Sequence, residues 1–228
     1  MTAHLSPDCI RERITAVKAS LPPQVRLIAV TKKKTSSAIR AAYECGLRDF
    51  GESRLQEAIA KQAELQDLSD TTWHLIGHLQ TNKARKALAH FDWIHSLDSL
   101  KLARKLNELA AELSRTPRCC LQVKIVPDPP KFGFDLEALW QALPELNHMH
   151  HLKIVGLMTI PPLESSIADS ERIFKQAHDL ADQINRQKLD HLCITELSMG
   201  MSGDYLAAIS AGSTMIRLGT TLFGDRTA

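Results

Sequence analysis

Three consecutive lysines, Lys32, Lys33 and Lys34, close the apolar run LIAVT at residues 27–31. Neighbouring side chains on a strand point opposite ways, so Lys32 and Lys33 cannot both enter one cavity. A lysine held in an apolar mouth is desolvated. Desolvation disfavours the ammonium, and the neutral amine is a nucleophile able to form a Schiff base. The plain alternative is a solvated charge cluster at a strand end. Far along the chain, SMGMSG (198–203) and RLGTT (217–221) are small and hydroxyl-rich, and Arg217 adds one cation. Gly200 and Gly203 allow close backbone approach to a ligand. Such loops are either anion-binding or ordinary turns.

The elements that must position these residues follow from periodicity. Short apolar runs at 25–31, 48–52, 72–78, 92–98, 118–126, 152–160, 192–200 and 214–224 read as eight strands. Amphipathic helical stretches lie between them. They include one after Thr35 or Ser36 that Gly46 ends, one from Ser53, one capped by Thr81, and helices over 99–114, 136–146, 168–187 and 203–212. Eight strand–helix units predict a modified (β/α)8 TIM barrel, a single domain over 1–228; a doubly wound open sheet is the alternative. In such a barrel the site forms at the C-terminal ends of the strands, and the loops after strands seven and eight often bind phosphate. The two hydroxyl-rich loops stand at those two ends, and the lysines stand at the end of strand one. Pyridoxal phosphate needs a lysine for its aldehyde, an anion site for its phosphate and a partner for its pyridine nitrogen. Lys32, the loop from Ser198 to Ser202, and Arg217 can fill those roles.

With these residues in view, the chain resembles the pyridoxal-phosphate homeostasis proteins, single-domain relatives of the alanine racemase N-terminal barrel with bacterial and cyanobacterial members. The stretches that carry the resemblance are LIAVTKKKT, RDFGESRLQE, WHLIGHLQTNK, IHSLDS, GLMTI, ELSMGMSGDY and AISAGSTMIRLGTTLFG. The resemblance implies pyridoxal 5'-phosphate as cofactor, with Lys32 as the Schiff-base lysine. It implies cofactor contacts at Met158, Ser198, Met201, Ser202, Arg217, Gly219 and Thr220. An arginine at the pyridine nitrogen disfavours its protonation and makes the cofactor a poor electron sink. A role in vitamin B6 and amino-acid/keto-acid homeostasis is implied, without strong catalysis, with pyridoxal-phosphate-dependent apoenzymes as recipients. The other reading is a slow amino-acid racemase. The racemase's tyrosine-bearing second domain has no counterpart among these residues, which also favours a monomer. Ser53 stands where the family usually has Asn, and three consecutive lysines replace the usual spaced pair.

Composition narrows the remaining classes. The 228 residues are 44% hydrophobic, with a formal charge of +2 and 5% aromatics, which argues against nucleic-acid binding. No apolar run approaches the length of a membrane span, and MTAHLSPDCIRERI has no signal core; the expectation is a cytoplasmic protein. Cys9, Cys45, Cys119, Cys120 and Cys193 show no CxxC pair and read as reduced, mostly buried thiols. His148, His150 and His151 read as a loop rather than a metal tract, and no metal is expected. His74 and His95 read as satisfied core histidines, and His78 either lines the mouth or packs. Lys131 reads as solvated, and the helix over 101–113 as packing against the barrel.

Overall fold

The computed structural model describes residues 5–224. Eight parallel strands close into a barrel in sequence order, and the last pairs with the first. They are β1 (Arg26–Val30), β2 (Asp49–Glu52), β3 (Thr72–Leu75), β4 (Trp93–Leu97), β5 (Arg118–Gln122), β6 (Lys153–Met158), β7 (Glu196–Ser198) and β8 (Met215–Leu218). The helices are α1 (Pro7–Ser20), α2 (Ser36–Glu44), α3 (Leu55–Glu64), α4 (Ala84–His90), α5 (Leu100–Glu112), α6 (Leu136–Asn147), α7 (Ile167–Asn185), α8 (Tyr205–Ser210) and α9 (Thr220–Phe223). The main core lies between the outer face of the barrel and this helical ring. A smaller cluster of Ile28, Trp93, Cys120, Met158 and Met215 fills the barrel interior.

The (β/α)8 barrel stands, and several boundaries move for local reasons. The helix α1 has no counterpart among the helices expected from the sequence. Yet Ser6 caps it by accepting from the Cys9 amide at 3.3 Å, Pro7 opens it, and Ile10, Ile14 and Val17 form its buried stripe. The apolar run 192–200 yields only three strand residues. Before them, the Asn185 side chain donates to the Ile194 carbonyl and accepts from its amide, both at 2.7 Å, in place of a neighbouring strand. The run 214–224 is not one strand, because Gly219 leaves extended geometry and α9 begins at Thr220. Thr81 opens a short 3-10 turn rather than capping α4, and Arg54 rather than Ser53 precedes α3. Thr35 caps α2, accepting from the Ala38 amide. Two of the five cysteines are buried, Cys119 and Cys120; Cys9 and Cys45 are half-buried and Cys193 is exposed, so burial is less general than expected. Burial alone pushes the Cys119 thiol up to about 12.

Candidate functional site

Alternation places the cavity lysine. Ile28 lies in the inner cluster, Val30 lines the cavity at the C-terminal mouth of the barrel, and Lys32, two residues on, lines it too. The chain then turns sharply. Lys33 takes φ 61°, in the left-handed region, and the Lys34 amide bonds back to the Thr31 carbonyl at 2.9 Å. Lys33 is exposed, and Lys34 donates to the carbonyls of Phe223 (3.0 Å) and Gly224 (3.3 Å), at the end of α9. The three lysines thus have three separate surroundings, and Lys32 is the one at the mouth.

A buried ionic cluster holds this turn from outside the barrel. Lys61 of α3 donates to the Thr31 carbonyl, to Glu52 Oε1 and to Glu57 Oε1, each at 2.7 Å. Thr31 donates its hydroxyl to Glu52 at 2.7 Å, and Glu57 accepts from the Lys33 amide. Burial pushes the Glu52 carboxyl above its ordinary range, against the pull of Lys61 and Thr31. Burial acts the same way on Glu57, but the Lys61 ammonium and the Lys33 amide together hold it below that range. Reading the sequence did not assign these three residues a role. The Glu57–Lys61 spacing of four was a visible signal for a helical ion pair, but not for its reach to strand one.

The opposite wall of the cavity comes from the ends of β7 and β8. Ser202, Gly203, Arg217, Gly219 and Thr220 line it together with Lys32, Ser53 and Met201, around a volume of about 310 Å³. The amides of Gly219 and Thr221 converge on the Ser202 hydroxyl at 3.4 and 3.3 Å, so this corner presents backbone donors and a hydroxyl. The Asp204 carboxylate accepts from the Met201 amide at 2.6 Å and occupies the start of α8, whereas the first turn of α9 holds no acidic residue. Gly203 faces open space: a methyl there would meet nothing within 4 Å.

Arg217 is buried, 4% exposed, on the inner face of β8. Its Nη1 donates to the carbonyl and the hydroxyl of Ser198, both at 2.6 Å, and Nη2 donates to the Thr159 carbonyl at 3.2 Å. Burial brings its pKa down to about 10, so it stays a cation at neutral pH.

Of the residues expected to meet the cofactor, Lys32, Met201, Ser202, Arg217, Gly219 and Thr220 share the cavity wall. Met158 and Ser198 do not. Met158 packs in the inner cluster, and Ser198 is fully buried beneath Arg217, so each touches the site through a neighbour. His78 does not line the cavity either. It donates to Asp98 at 2.8 Å and stacks on Phe132, 3.5 Å between centroids. Lys131 is tied to the Pro161 carbonyl at 2.7 Å, so it bridges two loops rather than standing solvated. Among the described residues no cluster of metal-ligating side chains occurs, and no helix is long and apolar enough to cross a membrane.

Residues 5–227 match the family described as alanine racemase, N-terminal domain. The pyridoxal phosphate homeostasis protein of Synechocystis sp. is 53% identical over 208 residues, covering 91% of this chain and 94% of that protein. The protein of the same name from Escherichia coli is 37% identical over 222 residues, covering 95% and 94%. PipY of Synechococcus elongatus PCC7942, solved with PLP bound, superposes with a TM-score of 0.90 at 52% identity, covering 94% of this chain and all of that one. Alanine racemase from Corynebacterium glutamicum shares the fold at 17% identity, with a TM-score of 0.78 over 99% of this chain and 64% of that one. By sequence and by barrel, the chain belongs to the pyridoxal phosphate homeostasis protein family.

Proposed function

We propose that this chain binds pyridoxal 5'-phosphate in the cavity at the barrel mouth and serves vitamin B6 and amino-acid/keto-acid homeostasis rather than strong catalysis. The observation that carries this is the convergence on one cavity of an amine, a donor-rich corner and a buried cation: Lys32, Ser202 with Gly219 and Thr220, and Arg217. The residues fit the group. The amine matches an aldehyde, the backbone amides and hydroxyls match a phosphate, and the guanidinium would suit a ring nitrogen. When bound, the cofactor supplies an aldehyde and a conjugated ring. The chain supplies the rest. Lys32 offers the nucleophile, the Ser202 and Gly219 corner anchors the anion, and Arg217 can only donate. A donor-only, permanently charged partner leaves the ring nitrogen unprotonated, which restrains electron withdrawal into the ring.

The racemase reading needs a second acid/base opposite Lys32. Tyr43 donates its hydroxyl to Asp70 on the outer surface, and Tyr205 lies in α8 outside the cavity wall. We therefore favour a carrier that gives the cofactor up to dependent apoenzymes, acting as a cytoplasmic, single-domain monomer over 1–228. Light scattering on the eluting protein checks the monomer. Borohydride treatment of the protein incubated with pyridoxal phosphate, followed by peptide mapping, tests the site. The expected result is a yellow protein with its adduct on Lys32; a colourless, unmodified protein overturns the reading. Turnover of L-alanine followed by chiral chromatography, and abolished by Lys32→Ala, would restore the racemase.

A further inference from the structure

A line of polar side chains crosses the barrel interior and ends on Arg217. Asp49 opens β2, His74 lies on β3, His95 on β4 and Ser198 at the end of β7. Asp49 Oδ1 is 2.9 Å from His74 Nε2, His74 Nδ1 is 2.9 Å from His95 Nε2, and His95 Nδ1 is 2.8 Å from the Ser198 hydroxyl. That hydroxyl is 2.6 Å from Arg217 Nη1. Both imidazoles and Ser198 are completely buried.

The two ends fix the direction of every bond. A guanidinium only donates and a carboxylate only accepts. His74 therefore gives its Nε2 proton to Asp49 and keeps a lone pair on Nδ1. His95 gives its Nε2 proton to that lone pair and keeps its own on Nδ1. The Ser198 hydroxyl gives its proton to His95 and turns its oxygen toward Arg217. A proton added to either ring would set two N–H groups, or an N–H and an O–H, against each other.

We propose that His95 and His74 are positioning residues for Arg217: as Nε2–H imidazoles they hold the Ser198 oxygen as a fixed acceptor and so set the guanidinium edge that the cavity offers a ring nitrogen. The inference rests on the pyridoxal phosphate reading for its ligand, not for its geometry. The surroundings agree. Burial holds His95 well below the ordinary 6.5, and a proton on it would further be opposed by one on His74 and by the Arg217 and Arg26 cations. Burial also lowers His74, with Arg26 acting the same way and Asp49 and Asp92 acting against. The His74 ring stacks on Trp93 at 5.6 Å, which fixes its plane.

Two measurements on the full chain test this. The first is histidine-selective ¹⁵N NMR without cofactor, with the two rings assigned through His74→Gln and His95→Gln. Both are expected as Nε2–H tautomers, neither titrating at the ordinary 6.5. An Nδ1–H tautomer, or titration near 6.5, overturns the relay. The second is a titration of pyridoxal phosphate followed by its absorption. His95→Leu leaves the Ser198 O–H without an acceptor and His74 Nδ1 without a donor, although the Ser198 oxygen still meets Arg217; it is expected to weaken binding about tenfold and move the pH midpoint of the visible band. His95→Gln offers an oxygen and an N–H at the same separation, and is expected to restore both within about threefold. Equal behaviour of the two variants overturns the positioning role. If the wild-type chain takes up no pyridoxal phosphate while the NMR pattern holds, the proposed function falls and the relay stands.

Discussion

Lys61 Nζ lies 2.7 Å from the carbonyl oxygen of Thr31, the residue immediately before the cavity lysine. A side chain on the helical ring thus grips the backbone at the point where β1 ends. The same ammonium meets Glu52 and Glu57 at 2.7 Å. Because Glu57 also takes the Lys33 amide, one cluster binds the residues on both sides of Lys32.

Removing that ammonium should be costly. Lys61→Met leaves the Glu52 carboxyl buried without its cation, while the Thr31 carbonyl keeps only the Lys34 amide; loss of one partner of a buried ion pair costs about 3–5 kcal/mol. Urea unfolding should show this as a lower midpoint with little change in slope. Lys61→Met combined with Glu52→Leu should recover part of the loss. If Lys61→Met alone costs no more than a surface substitution, the cluster does not hold the turn.

Stability should fall as the medium turns acidic, and the buried histidines set where. Both are held below 6.5, so between that value and their folded values the unfolded chain binds protons that the folded chain does not. Their contribution is complete above 6.5 and is lost as pH falls below it. Each ring that stays neutral adds a slope of about 1.4 kcal/mol per pH unit. Urea midpoints from about pH 7.5 down to 5 should trace this decline, and His95→Gln should take away one ring's share of the slope. A slope unchanged in that variant would show that His95 takes up a proton in the folded state.

Much of the barrel was legible because strand–helix alternation repeats eight times and each repeat carries its own period. What stayed hidden depended on single long-range contacts. The shortening of β7 turns on Asn185, which captures Ile194 from nine residues away. At the site, Lys32, Ser202 and Arg217 stood out because loops at strand ends carry unusual residue types. Met158 did not separate from them, because a methionine at a strand end reads the same whether it faces the mouth or the layer beneath. Glu57 and Lys61 carry no role in the sequence beyond a spacing of four that fits a helical pair, and His74 and His95 read only as satisfied core histidines, with no partner named. Their alignment exists only after closure brings β2, β3, β4 and β7 around one interior.

Two glycines in one loop should respond to the same substitution in opposite ways. Gly200 has φ 96°, and a methyl there would lie 2.6 Å from the Ala208 side chain and 3.0 Å from the Tyr205 backbone. Gly200→Ala should therefore destabilise the fold by about 1–3 kcal/mol, through strain and crowding against α8. Gly203 carries no such strain and its methyl would meet nothing within 4 Å, yet it lines the cavity beside Ser202. Gly203→Ala should leave unfolding within about 0.5 kcal/mol of the parent. It should still weaken pyridoxal phosphate uptake about tenfold, because the methyl occupies space the ligand needs. Paired urea unfolding and cofactor titration of the two variants separate these effects. A Gly203→Ala protein that binds as tightly as the parent would move the ligand away from this corner of the cavity.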